Sequence, residues 1–375
     1  MEQPTTRTIF RDLHTDLPVL LLHNLDRSWP QADIDLCLEL GDLMFEALRA
    51  AGHPVMRARL EDDQLSNLLS GYDPTKLIVF NWCEEVPGIP RSSWMVAQEL
   101  ERQGFTYTGA DYPALVFSQD KRQVQQKLKE AGVPTPLWKI YSSACVKDWD
   151  LFPAIVKPAF EHYSLGISRE SVVVSPAELS QRVNYVIAQH QQPALVEEFI
   201  DGREFHVGVV GNGNLHMLPP AEIDFSVFDD IHDRLCTYEA NFVPTSLAYQ
   251  STFAKLPIAF TSDQLARMES VVMGAYRATG CRDYARMDLR MRDGSFYILD
   301  VNHNADISPD GSLIKAAEMV GYPYGLFASL LVNLAAERHP VFGNGYKKDS
   351  PTEILPIQVK SRRRKASEPI FPVEL

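Results

Sequence analysis

Residues 285–302 read "ARMDLRMRDGSFYILDVN". Two runs of alternating apolar and polar side chains flank Asp293-Gly294, the pattern of a β-hairpin. In the second run, alternation sends Asp300 and Asn302 to one face and Leu299, Val301 and His303 to the other. Loop length then decides what lies opposite them. A two-residue Asp293-Gly294 loop pairs Arg292 with Ser295 and turns Asp288 away from Asp300 and Asn302. A three-residue loop, Arg292-Asp293-Gly294 with the glycine left-handed, pairs Met291 with Ser295 and Arg286 with Asp300. Asp288 then faces Ile298 and sits diagonal to Asp300, so that Arg286, Asp288, Asp300 and Asn302 share one face. The three-residue loop is the expected one.

Two carboxylates and an amide oxygen on one rigid surface suit a hard cation, and Mg²⁺ typically takes one or two carboxylates plus substrate phosphates. The same residues also read as an acid pair neutralised by Arg286 on a solvated sheet face. Other residues along the chain bear on the choice. Lys157 ends the apolar strand "FPAIVKP", Lys121 lies near a helix start, and "EHYSLGIS" (161–168) follows as a polar loop. "LVEEFIDGREF" adds Glu197 and Glu204.

Around this centre the chain alternates strand and helix. "LPVLLLHN" (17–24) and "KLIVFNWC" (76–83) are buried strands; Leu36, Leu40, Leu43, Ala47 and Ala51 keep helical spacing up to Gly52, and "SSWMVAQELERQG" is a further helix. This predicts a small parallel α/β layer over about residues 15–115. "SQDKRQVQQKLKEAGVPTP" (118–136) reads as a helix capped by Ser118, with Gly132 just beyond its end. The following part reads as α+β, with a hairpin at Asn212-Gly213 and a helix over 264–279. Ser308 and Pro309 look like the start of the next helix. No internal repeat is present, and the apolar periodicity ends before the basic "KSRRRK", a solvated tail or a docking segment.

The formal net charge of −13 argues against nucleic acid and anionic membrane as partners. The N-terminus lacks the pattern of a signal peptide, and no run approaches the roughly 18 apolar residues of a membrane span, so a cytoplasmic location is expected. Five cysteines without a C-x-x-C pair are read as free, mostly buried thiols.

In this order the motifs resemble the ATP-grasp superfamily, and within it the D-alanine–D-alanine ligase-like carboxylate–amine ligases. The resemblance runs through "GADYPALVFSQDKRQVQQKLKEAGVPTP", "FPAIVKPAFEHYSLGIS", "LVEEFIDGREFHVGVVGNG", "ARMDLRMRDGSFYILDVN" and "AAEMVGYPY". It implies an α/β plus α+β fold: an N-terminal Rossmann-like domain (1–115), two ATP-clamping subdomains (116–200 and 201–340) and a C-terminal tail (341–375). It further implies ATP and Mg²⁺, as one ion or two and with Mn²⁺ as a substitute, an acyl-phosphate intermediate, and a small carboxylate and an amine as substrates. Homodimers are common in this branch. By position, Lys121 and Lys157 match the phosphate-contacting lysines. Glu197, with the backbone of Glu198 and Ile200, matches the adenine edge, and Glu204 the ribose contact. Asp288, Asp300 and Asn302 match the metal ligands, Asp300 replacing the usual glutamate, and Arg286 matches the arginine that steadies the attacked carbonyl.

The substrate side departs from the family. Tyr163 stands at the place of a serine, Phe242 at that of a tyrosine and Asn241 at that of a lysine, while "LLHNLDRSWP" lacks the usual glycine- and serine-bearing motif with its glutamate. Ala305-Asp306 replaces a proline-glycine pair, which makes Asp306 either a contact for a substrate ammonium or a local hydrogen-bonding group. Ser312 lies within one position of a family serine that binds the acceptor carboxylate. His303 is expected to be packed, and His162 solvated. The expected activity is a ligase acting on an amino acid or similar metabolite. The rivals are a true D-alanine–D-alanine ligase with an unusual first subsite, an ATP-grasp phosphotransferase, and a nucleotide-binding protein without turnover.

Overall fold

The computed structural model describes residues 13–161, 164–242, 245–252 and 254–343. Three strands, β1 (Val19–Asn24), β2 (Val55–Leu60) and β3 (Ile78–Trp82), pair in parallel in the order β2-β1-β3. The unbroken apolar run of β1 has a simple cause, burial on both faces. Val19 and Leu21 enter one core, while Leu20 and Leu22 enter another. Helices α1 (Gln31–Ala50), α2 (Leu65–Leu69), α3 (Ser93–Arg102) and α4 (Tyr112–Ser118) complete the expected α/β layer.

Helix α5 (Lys121–Glu130) starts two residues later than the sequence suggests. Its cap is Asp120, which accepts the Arg122 amide at 3.0 Å; Ser118 instead ends α4. Arg122 also grips the Asp120 carboxylate through its side chain at 2.8 and 2.6 Å, so Asp120 outcompetes the serine as the cap.

An antiparallel sheet follows, ordered β4-β7-β5-β6, from β4 (Trp138–Tyr141), β5 (Ala154–Pro158), β6 (Val172–Val173) and β7 (Ala194–Glu198). Helix α6 (Pro176–His190) covers it through Leu179, Val183 and Val186. The third sheet has the order β11-β10-β8-β12-β13, with β9 (His216–Met217) beside β8 (Arg203–Val210). It also contains β10 (Ala221–Ile223), β11 (Ala254–Lys255), β12 (Tyr284–Arg292) and β13 (Ser295–Asn302). The short helices α7 (Tyr238–Phe242) and α8 (Leu247–Ser251) precede α9 (Ser262–Ala278), which packs Met268 and Val272 onto Phe205, Met287 and Ile298 of this sheet. The β8–β9 hairpin is present, with a longer loop than Asn212-Gly213 alone, since Val210 faces His216.

Helices α10 (Ser312–Met319) and α11 (Tyr324–Ala336) return to the first layer and join its core. At Gly325 a Cβ would lie 2.7 Å from the Ala47 carbonyl oxygen, so glycine allows α11 to cross α1 closely. The cap of α10 is Gly311, not Ser308. Ser308 instead donates its amide (2.8 Å) and hydroxyl (2.5 Å) to Asp306, a local turn that competes with capping. Among the described residues no single helix is long and apolar enough to cross a membrane. The thiols are free, but only Cys83 is fully buried, and Cys145 is exposed.

The hairpin of β12 and β13 corrects the expected register. Its loop has two residues: Arg292 faces Ser295, and Asp293 and Gly294 both have positive φ, 52° and 76°. Asp-Gly with both φ values positive is the combination favoured by the strand twist. The residue that reunites the acids is Leu299, an extra residue bulged out of β13 between Ile298 (opposite Leu289) and Asp300 (opposite Asp288). Leu299 therefore lines the cleft beside Asp300 instead of joining the buried face with Val301.

Candidate active site

The cleft lies between the second and third sheets. Its floor is the polar face of the third sheet, where register sets three rungs. Glu204 faces Arg290, His206 faces Asp288 and Asp300 beyond it, and Gly208 faces Arg286 and Asn302 beyond it. The alternating residues Phe205, Val207, Met287, Leu289 and Ile298 point to α9, so burying the apolar face fixes which groups meet in the cleft. The other wall brings Lys157 from β5, Glu197 from β7 and Lys121 from the first turn of α5.

Each cation in the cleft pairs with an acid. Lys121 Nζ lies 2.7 Å from Asp300 Oδ2, and Lys157 Nζ 2.5 Å from Glu197 Oε2. Arg286 grips Asp288 through Nε (2.7 Å) and Nη2 (2.9 Å), and Arg290 Nε donates to Glu204 Oε2 at 2.7 Å. Gln125 of α5 donates to the second oxygen of Glu197 at 2.8 Å. Burial works against the charge on Asp288, but the positive groups of Arg286 and His206 outweigh it and lower its pKa. Burial likewise opposes the Lys157 ammonium, and Glu197 more than offsets it, so that its pKa rises. His206 is pushed down by burial despite Asp288 beside it.

Of the residues singled out from sequence, Lys121, Lys157, Glu197, Glu198, Ile200, Glu204, Asp288 and Asp300 line this cleft. Arg286 and Asn302 reach it through Asp288, to whose Oδ2 the Asn302 amide nitrogen donates at 2.9 Å. Ser312 meets the floor through His206 Nδ1, at 3.4 Å. Asp306 accepts from the Ser308 amide in a local turn, and His303 is packed, with Nε2 2.9 Å from the Thr279 carbonyl oxygen. Tyr163 and His162 lie outside the described residues, as does the basic tail; Phe242 ends α7.

Four further groups belong to the site. Arg290 and His206 carried a signal, since each is two residues along a strand from a residue already singled out. Gln125, one helical turn after Lys121, carried the same kind of signal. Cys236 carried none, because it comes from the irregular segment after the 3₁₀ turn Ile231–Asp233.

The donor set of Asp288, Asp300 and Asn302 fits a hard divalent ion. Two carboxylates directly opposite each other and an amide one rung away are oxygen donors, and both carboxylates already hold a cationic side chain. The amide presents its nitrogen to Asp288, so offering its oxygen takes a half-turn of that group.

The family described as D-ala D-ala ligase C-terminus matches residues 135–333. The uncharacterized protein y4sG of Sinorhizobium fredii is 32 % identical over 326 residues, 85 % of this chain and 91 % of that protein. The D-alanine--D-alanine ligase of a Marinomonas species is 28 % identical over 315 residues, 81 % of this chain and 91 % of its own length. Among solved structures, the Bacillus anthracis D-alanine--D-alanine ligase complexed with ATP superposes with a TM-score of 0.65, at 18 % identity, over 86 % of this chain and 98 % of that one.

Proposed function

The chain belongs to the D-alanine–D-alanine ligase family of ATP-grasp enzymes, and from that premise we propose that it joins a small carboxylate, such as an amino acid, to an amine at the expense of ATP and with Mg²⁺. The observation that carries this reading is the set of four cation–acid pairs in one cleft, Lys121–Asp300, Lys157–Glu197, Arg286–Asp288 and Arg290–Glu204. These are the groups that phosphates and a divalent ion would draw apart and re-pair.

Lys121 and Lys157 bind the phosphates, and Glu197 accepts from the adenine amino group. The Glu198 amide is taken by the Leu137 carbonyl at 2.8 Å, so Glu198 contributes its carbonyl. Arg290 holds Glu204 by Oε2, and Oε1, 3.5 Å from Cys236 Sγ, is the oxygen assigned to the ribose hydroxyls. Asp288, Asp300 and Asn302 hold Mg²⁺, which when bound neutralises phosphate charge. A carboxylate oxygen of the donor attacks the γ-phosphorus and ADP leaves. The amine then attacks the acyl carbon, loses a proton and expels phosphate. Arg286 stabilises the oxyanion that develops on the attacked carbon, and the chain supplies positioning and charge, with no covalent nucleophile. On the substrate side, Tyr163, Phe242 and Ser312 are assigned to substrate selection, and Asp306 to its local turn.

The test is ATP turnover against pooled D- and L-amino acids and amine-bearing metabolites, following ADP, phosphate and new masses together. Equal ADP and phosphate, with a product mass of donor plus acceptor minus water, supports the ligase. ADP without phosphate, with one substrate gaining a phosphoryl mass, makes it a phosphotransferase. A dipeptide formed from D-alanine alone identifies that amino acid as both substrates.

A further inference from the structure

We propose that Glu204, His206 and Cys236 form a site for a thiophilic divalent ion, with Zn²⁺ as the best match, on the floor of the same cleft and distinct from the oxygen-donor site at Asp288, Asp300 and Asn302. Each of the three side chains offers a ligand atom within 4.8 Å of the other two. Glu204 and His206 are two residues apart on β8 and so share its cleft face, and Cys236 is laid across them by the segment after the 3₁₀ turn.

Carboxylate oxygen, imidazole nitrogen and thiolate sulfur are the three donor types that Zn²⁺ takes, whereas Mg²⁺ has no use for sulfur. Cys236 Sγ is 3.5 Å from Glu204 Oε1. Two ligands at the usual Zn–S and Zn–O lengths on one tetrahedral ion stand about 3.6 Å apart, so this pair already has the required spacing and His206 has to close in by about 1 Å. The supports are in place as well. Arg290 anchors Glu204 through its other oxygen, and Ser312 Oγ lies 3.4 Å from His206 Nδ1. His206 Nε2 is 3.7 Å from Asp288 Oδ1, a carboxylate that helps to orient the imidazole. Binding forms a Zn–S bond and releases the Cys236 thiol proton to solvent. Because Glu204 is shared, the ion and the nucleotide compete, a consequence that rests on the ribose assignment above; the ion site itself does not.

The test titrates Zn²⁺ into the full chain by calorimetry without nucleotide, in excess Mg²⁺, and repeats it with Co²⁺ to look for a thiolate-to-cobalt charge-transfer band. The expected result is one ion per chain with that band, both at least tenfold weaker in Cys236→Ser and His206→Asn and retained in Asp300→Asn. In the wild-type chain, Zn²⁺ should also shield Cys236 from alkylation, read by peptide mass, which needs no variant to fold. A band that survives Cys236→Ser, loss of binding in Asp300→Asn, or undiminished alkylation of Cys236 overturns the site. ATP should displace the ion; an ion that binds as described but resists ATP leaves the site standing and removes Glu204 from the ribose.

Discussion

Replacing Lys157 by methionine separates what the cleft pairs do for the fold from what they do for the nucleotide. Lys157 Nζ is 2.5 Å from Glu197 Oε2, and the Glu197 side chain is 1 % exposed. Without the ammonium, Glu197 keeps one partner, the Gln125 amide. Removing one member of a buried pair leaves an uncompensated charge and costs about 3–5 kcal/mol. At roughly 2 °C per kcal/mol for a chain of this size, the low end lowers the thermal midpoint by about 6 °C. In Lys157→Met/Glu197→Gln the buried charge is gone too, and stability should return to within about 1 kcal/mol of wild type. Nucleotide binding should behave oppositely. A charge-assisted bond from Lys157 to phosphate is worth about 1.5–3 kcal/mol, so ATP affinity, measured by calorimetry with Mg²⁺, should fall by about 10- to 150-fold in the single variant and stay low in the double. The Lys157 pKa is raised, so the pair's contribution is complete below the ordinary lysine range and is lost only above it. Both measurements near neutral pH are therefore free of its titration. Recovery of ATP affinity together with stability in the double variant would refute the reasoning, because Lys157 would then be a structural partner of Glu197 and nothing more.

Stability should fall in acid partly through His23, which is buried under α1 and has its pKa pushed down to about 4, by burial first and then by Arg59 and Arg57. Its neutral form contributes fully above the unfolded value near pH 6.5, and the contribution is lost as pH falls toward 4; about 2–3 kcal/mol is gone at pH 4.5. His23→Gln should flatten that part of the thermal-midpoint profile, and an unchanged slope would assign the acid loss elsewhere. Asp283, with no exposed surface, accepts from the Gly109 amide (2.8 Å), the Asn212 amide (3.0 Å) and both Arg338 Nη atoms (2.7 Å each). Asp283→Asn should lower stability by about 3 kcal/mol in thermal or urea unfolding, and a loss under about 1 kcal/mol contradicts the weight given to this junction. Deleting Leu299 should leave Asp300 opposite Asp288, because the turn already sets that register. Mg²⁺-dependent ATP binding should persist with affinity about tenfold lower, from loss of roughly 1.5 kcal/mol of apolar contact. Disappearance of the Mg²⁺ dependence would show that the bulge, and not only the register, positions the acids.

The residue types of the cleft were legible in the sequence because strands repeat every two residues: Arg286, Asp288 and Arg290 announce one face, Glu204 and His206 another. The bulge was not legible, since Leu299-Asp300 looks like one more apolar–polar step. A three-residue loop and a bulge inside β13 solve the same problem, bringing Asp288 and Asp300 together, and only the preference of Asp-Gly for positive φ at both positions distinguishes them. The cap at Asp120 was hidden in a similar way. Ser118 and Asp120 are both good caps, and the choice is made by Arg122.

Partnership was hidden for a deeper reason. Lys121 and Asp300 are 179 residues apart, and Arg290 and Glu204 are 86 apart. Only the closed register of β8, β12 and β13, together with the docking of α5, turns scattered charges into neutral pairs. That neutrality has a chemical consequence. On the assignment proposed above, a nucleotide arriving alone must compete with Asp300 and Glu197 for the two lysines, leaving carboxylates unpaired on a partly dry floor, which is costly. A divalent ion arriving alone must take Asp288 and Asp300 from Arg286 and Lys121, leaving those cations unpaired. When both arrive, the ion takes the carboxylates and the phosphates take the freed Lys121, which leaves Arg286 for the reacting substrate and fewer charges unpaired than with either component alone. On that assignment the pairing selects for the metal–nucleotide complex over either component, through the Lys121–Asp300 and Arg286–Asp288 contacts.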